Sequence, residues 1–219
     1  MFQSAFYMNV QDTSLETLQD IRKMMEKSSR FISLSGLSGV SAGIFALAGA
    51  FIAHLWLGQK YERGYSHGSG KYFMENFDVL IWKLLFLAAG VLALSLSFAF
   101  YFTWKKAKKN GVPMWGHSSK KLLINLLIPL VTGGIYVLAL LYYGEWLFIA
   151  PACLVFYGLA LVNASKYTLT EIKYIGLLEI ALGLINMFWT DYSLYFWAVG
   201  FGVLHIIYGM IMWWKYDKN

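Results

Sequence analysis

The chain has 219 residues, 58% of them hydrophobic and 14% charged, with a mean hydropathy of +0.53. A soluble domain of this size has too much surface for its volume to hide so much apolar area in one core, so composition excludes a water-soluble globule and points to a bilayer. One cysteine, Cys153, excludes a disulfide framework and a Cys-based zinc or iron–sulfur site within one chain.

Residues 1–30 are too polar for hydrocarbon. Thr13 and Glu16 have the spacing of a capping box and predict a helix starting at Thr13. Leu15, Leu18, Ile21 and Met25 then recur at helical spacing, opposite Asp20, Arg22, Lys23, Glu26, Lys27 and Arg30. That pattern predicts an amphipathic helix lying on the membrane surface, on the protein's own inner face or on a partner. Six apolar stretches come next, at about 31–57, 79–103, 122–142, 146–165, 172–189 and 193–214. Each is near or above the ~20 residues that a spanning helix needs. The expected fold is therefore all-α: one polytopic membrane domain over 31–219, a six-helix transmembrane bundle preceded by an amphipathic helix.

Lysine and arginine set the orientation, because loops left in the cytoplasm carry the positive charge. With the N-terminus inside, the inner side holds fourteen of them: Arg22, Lys23, Lys27, Arg30, Lys105, Lys106, Lys108, Lys109, Lys120, Lys121, Lys166, Lys173, Lys215 and Lys218. The outer loops hold three, Lys60, Arg63 and Lys71. Both ends are expected in the cytoplasm. Trp56, Trp82, Trp146, Trp189 and Trp197 fall near the outer boundary and Trp104, Trp213 and Trp214 near the inner one, where aromatic belts belong. The formal charge of +6 thus reads as membrane topology rather than nucleic-acid binding. Lys105, Lys106, Lys108, Lys109, Lys120 and Lys121 form a basic juxtamembrane loop expected to attract anionic lipid, at about 1 kcal/mol per charge.

Span one is rich in small residues. Its Gly39 and Gly43 form a G-x-x-x-G pair, which predicts close helix packing within the bundle or between subunits of a homo-oligomer. In span three, Pro129 followed by Thr132, Gly133 and Gly134 predicts a kink, or a break that frees carbonyls for a ligand. Asn125 and Asn163, near the inner ends of spans three and four, are placed to bond to each other.

The most informative residues are polar ones at depth. Glu179 in span five and His205 in span six both lie about 12 Å from the inner boundary, counting 1.5 Å per residue. Gly176, Glu179, Gly183 and Asn186 share one stripe of span five; Gly202, His205 and Gly209 share one of span six. Small residues let two backbones approach and polar ones bond across the gap. Glu179, His205 and Asn186 are accordingly the candidate ligand or proton site, because ionisable groups inside a membrane usually serve a function. A water-filled cavity at Glu179 would favour transport or ligand binding; a dry, packed pair would favour a structural or signalling role. Gly39, Gly43, Gly183, Gly202 and Gly209 are the candidate packing positions.

No metal-binding, nucleotide-binding or nucleophile motif occurs, and no pattern calls for a cofactor or for catalytic residues. A paired-aspartate intramembrane protease is excluded by the scarcity of aspartate in the spans, and no charged ladder crosses the bilayer to make a long proton wire. An enzyme acting on lipid or quinone therefore ranks last. A small transporter, channel or ligand-binding bundle comes first, followed by a sensor or assembly partner acting through the N-terminal helix.

The run Arg30, Phe31, Ile32, Ser33, Leu34, Ser35, Gly36, Leu37, Ser38 and Gly39, with the amphipathic helix before it, resembles the start of a group of uncharacterised bacterial six-span membrane proteins. The group resembles this chain over most of its length and has no activity to carry over. What the resemblance implies is a bacterial cytoplasmic membrane. In glycine spacing alone, the hairpin 172–214 is also similar to small six-span proteins of the acid-resistance membrane type.

Overall fold

A computed structural model describes residues 34–66, 70–111 and 114–218. The expected amphipathic helix over 13–30 lies outside the described residues. Among them the chain is helical between short turns and contains no strand. The helices are α1 (Gly36–Ser66), α2 (Gly70–Lys109), α3 (His117–Tyr143), α4 (Ile149–Ala164), α5 (Glu171–Asn186) and a compound α6 (Thr190–Asp217). Short 3₁₀ turns, Trp146–Phe148 and Ser165–Tyr167, extend α4 at both ends. Within α6 the backbone widens into π turns at Ala198–Leu204 and Trp213–Asp217.

Five of these segments are long and apolar enough to cross a membrane: Gly36–Gly58, Val79–Lys109, His117–Tyr143, Trp146–Tyr167 and Thr190–Asp217. The expected fifth span is the one that falls short. α5 has 16 residues, or about 24 Å of helix, against about 30 Å of hydrocarbon. It stops at Asn186 because the chain turns there. The Asn186 side chain is fully buried and its Oδ1 accepts from the Ser193 hydroxyl at 2.8 Å, tying the start of α6 to the end of α5. α2 errs the other way: its 40 residues make about 60 Å, so it continues well past the apolar stretch read from the sequence.

Hydrophobic attraction cannot hold helices together in lipid, so they associate where small residues let backbones touch. Each main helix pair is built on such a contact. α1 and α6 meet through Gly39 and Gly43 on one side and Gly202 and Gly209 on the other. A Cβ on Gly43 would lie 2.6 Å from the Gly202 carbonyl, and one on Gly39 would lie 3.1 Å from the Gly209 Cα. The G-x-x-x-G pair therefore packs within the chain. α4 and α5 meet at Gly158 and Gly176, where a Cβ on either would come within 2.6–2.8 Å of the other's carbonyl. Gly183 lies against the Pro151 carbonyl on the same interface, which a Cβ would approach to 2.9 Å. α2 packs along α1 through Val91 on Gly49 and an edge-on Phe45–Phe98 ring pair. α3 packs along α4 through Gly133, which seats Phe156. Only 6% of the most apolar window of α2, and of α3, is buried, so these flanking helices present most of their apolar side chains outward. The result is two groups, α1–α2 and α3–α4–α5, with α6 packed against both.

Of the kink or break expected at Pro129, Gly133 and Gly134, the break does not occur: α3 runs unbroken from His117 to Tyr143. A proline has no N–H for the carbonyl four residues back, which is that of Asn125. Asn163 of α4 replaces the missing donor, its Nδ2 lying 2.8 Å from the Asn125 carbonyl oxygen. The Asn125 side chain itself turns back to the Lys121 carbonyl, so the two asparagines pair through backbone rather than side chain to side chain. A double-mutant cycle should show this. Asn163→Ala is expected to cost about 1 kcal/mol alone, and much less when Pro129→Ala restores the helical N–H. Thermal unfolding of the four variants in detergent gives the coupling; additive effects would mean that the bond does not form.

α3 ends where Gly144, with φ of +76°, lets the chain leave the helix; the N–H groups of Gly144 and Glu145 cap the carbonyls of Leu141 and Leu140. At the opposite, lysine-bearing end, Asp217 ties three helices together. Its Oδ2 accepts from the Ser35 hydroxyl and the Gly36 N–H, both at 2.9 Å, at the first turn of α1. Its other oxygen pairs with Lys106 of α2, which also donates to the Leu34 carbonyl at 2.8 Å.

Candidate functional site

Glu179 stands in the middle of α5 and is completely buried. His205 begins the last regular stretch of α6, immediately after the first π turn, and is 8% exposed. The structure brings the two together: His205 Nδ1 lies 3.5 Å from Glu179 Oε1. Between them sits Gly200, whose missing side chain makes room for the carboxyl group. A Cβ there would be 2.6 Å from Glu179 Oε2.

A third residue joins them. The Tyr157 hydroxyl of α4 lies 2.8 Å from His205 Nε2, and its ring packs against those of His205 and Phe201. His205 Nδ1 lies 3.0 Å from the Gly200 carbonyl oxygen. That oxygen can only accept, so Nδ1 carries a hydrogen. In the neutral ring, Nε2 then accepts a hydrogen bond from the Tyr157 hydroxyl. The π turn matters here, since it sets the carbonyl of Gly200 five residues ahead of the ring that bonds to it. Such turns recur at functional sites.

The imidazole is thus fully served and the carboxyl is not. Neither oxygen of Glu179 has a hydrogen-bond partner, and the approach of Nδ1 at 3.5 Å is too long to count as one. Buried polar groups are nearly always paired, and one that is not calls for an explanation. The Tyr208 hydroxyl, three residues along α6 from His205 and on the same face, is likewise buried without a partner.

Asn186, which shares a stripe with Glu179, does not belong to this cluster. It sits two helical turns further along α5, and its bonds go to Ser193. At the other end of α5, Glu171 accepts from Lys215 and from the Tyr216 hydroxyl, the latter at 2.8 Å. Partial burial pushes the Glu171 carboxyl up, but these hydrogen bonds outweigh it and hold it below the usual carboxylate range. A lowered carboxyl stabilises the fold above its unfolded value and loses that contribution as pH falls through the folded one. Glu171→Gln should therefore cost at most ~1 kcal/mol at neutral pH, and the difference should shrink to nothing as pH falls through the lowered carboxyl range. A cost independent of pH would count against the pair.

Sequence reasoning found Glu179 and His205 and missed Tyr157. The available signal was a tyrosine in mid-span, since a buried phenol needs a partner for its hydroxyl. Among the described residues no group of three or more His, Cys, Asp or Glu side chains is gathered as metal ligands. Comparison of the chain with protein families, with curated proteins and with solved structures gives no match.

Proposed function

We propose that this is a small proton-linked membrane transporter or channel, in a closed conformation, whose working group is Glu179. The observation that carries the reading is a carboxyl group buried among the apolar helices, next to the helix that joins both halves, with neither oxygen hydrogen-bonded. A carboxylate in that setting is costly, so the group is held as the acid and takes its charge only when the helices part. His205, fixed by Tyr157 and Gly200, holds its Nδ1–H 3.5 Å from Glu179 Oε1, where it can stabilise the carboxylate once the proton has left. In this reading the chain makes six crossings of a bacterial inner membrane, with both ends cytoplasmic. α5 is the short crossing: its ends meet those of α6 through Glu171 with Lys215 and Asn186 with Ser193, so the two helices traverse the same depth.

Proteoliposomes loaded with a pH-sensitive dye test the reading. After an external pH step, the wild type should equilibrate faster than protein-free vesicles, and Glu179→Gln should match the empty vesicles. Equal rates for wild type and Glu179→Gln would overturn it.

The complete burial of Glu179 favours a second reading, a sensor or assembly partner in which the Tyr157–His205–Glu179 cluster is a clasp between helices. In that case Glu179→Gln leaves proton movement unchanged, and removal of residues 1–28 releases a cytoplasmic partner that otherwise co-purifies.

A further inference from the structure

At the lysine-bearing end, away from Glu179, the ends of α1, α2 and α6 frame a cleft of about 300 Å³. Its polar rim carries Lys105, Lys106 and Lys109, and Phe102 and Trp213 form part of its apolar wall. Among the described residues the one acid on the cleft, Asp217, is already engaged by Lys106, Ser35 and the Gly36 N–H. Lys105 and Lys109 are therefore two exposed ammonium groups, one helical turn apart on the same face of α2, with no carboxylate among the described residues of the cleft left to neutralise them. Lys108, by contrast, points to the ring of Trp104 at 5.5 Å.

We propose that this cleft is a specific site for a phosphate group, supplied by an anionic phospholipid whose glycerol and first acyl carbons lie along Phe102 and Trp213. The chemistry of the lining carries the assignment. Two unpaired ammonium groups match a phosphodiester, and an apolar wall immediately beside them matches the acyl chains that hang from a headgroup at the membrane boundary. Asp217 sets the limit of the site: by holding Lys106 it leaves room for a single phosphate between Lys105 and Lys109. The site is independent of the Glu179 cluster, so either proposal can fail without the other.

The test titrates phosphatidylglycerol onto the full chain in detergent and reads lipid occupancy by native mass spectrometry, with phosphatidylcholine as the neutral comparison. One phosphatidylglycerol should bind in preference to phosphatidylcholine. The pair Lys105→Gln with Lys109→Gln should weaken it roughly thirtyfold, on the basis of about one charge interaction lost per lysine. Lys105→Arg with Lys109→Arg should keep it. Lys120→Gln with Lys121→Gln removes the same charge outside the cleft and should change binding by less than about threefold. Equal weakening by both glutamine pairs, or none by the first, overturns the site. Excess inorganic phosphate separates the two sources of the group. Failure to displace the lipid assigns the cleft to a headgroup, whereas full displacement assigns it to free phosphate and overturns the lipid.

Discussion

Gly209→Val should lower the stability of the folded bundle by roughly 3 kcal/mol or more, the high end for overpacking. A Cβ at 209 would stand 2.5 Å from the Val40 nitrogen and 2.7 Å from the Gly36 carbonyl oxygen. Both obstacles are backbone, so no change of rotamer relieves them and the helices must move apart. Separation at Gly209 would also loosen the contact of Gly43 with Gly202 and pull on Asp217, which grips the first turn of α1 from the end of α6. The comparison is Gly134→Val in α3, where a Cβ meets nothing within 4 Å. That variant should unfold within about 0.5 kcal/mol of the wild type, since only helix propensity changes. Unfolding followed by circular dichroism in mixed micelles measures both. A Gly209→Val protein as stable as the Gly134→Val protein would mean that α1 and α6 do not touch as described.

Glu179→Met tests the same bundle in the opposite direction. Methionine has nearly the shape of glutamic acid and adapts to its surroundings, so little cavity or strain results. The change removes a buried polar group without hydrogen-bond partners, whose desolvation costs about 1–3 kcal/mol. His205 is not orphaned by it, because its two nitrogens keep the Gly200 carbonyl and the Tyr157 hydroxyl. The variant is therefore expected to gain about 1–2 kcal/mol of stability while losing all proton movement. A group kept at a cost to the fold is the usual mark of a site retained for its activity. The clasp reading predicts the other sign, so a Glu179→Met protein that melts earlier than the wild type would favour it.

The meeting of Glu179 and His205 was legible because a helix is a rigid ruler. Counting residues from a charged boundary fixes height to within a turn, and the side-chain period fixes the face. The same ruler explains the grouping of Asn186: the face was right, but two turns of height separate it from Glu179, and polar contacts require both. The five longer spans were legible from hydropathy. The end of α5 was not, because Met187, Phe188 and Trp189 continue the apolar run while a polar bond from Asn186 to Ser193 decides where the chain turns. Pro129 is instructive in another way. Its effect was read as a kink or break in its own helix, whereas the carbonyl it leaves without a donor lies four residues earlier and is satisfied from the neighbouring helix by Asn163. Nothing in residue type announces the π turn at Ala198–Leu204, the turn that contains the Gly200 carbonyl bonded to the imidazole.

The pairing of α1 with α6 has a consequence for the order of events on the ribosome. Gly39 and Gly43 are made long before their counterparts Gly202 and Gly209. Until then the small-residue face of α1 lacks the helix it packs against, while α2 and then the α3–α4–α5 group can already assemble from neighbouring contacts. The bundle is closed only when α6 enters and Asp217 reaches the first turn of α1. A ribosome that stalls shortly before residue 202 leaves two finished groups with nothing to join them, a product that membrane proteases should clear faster than the whole chain.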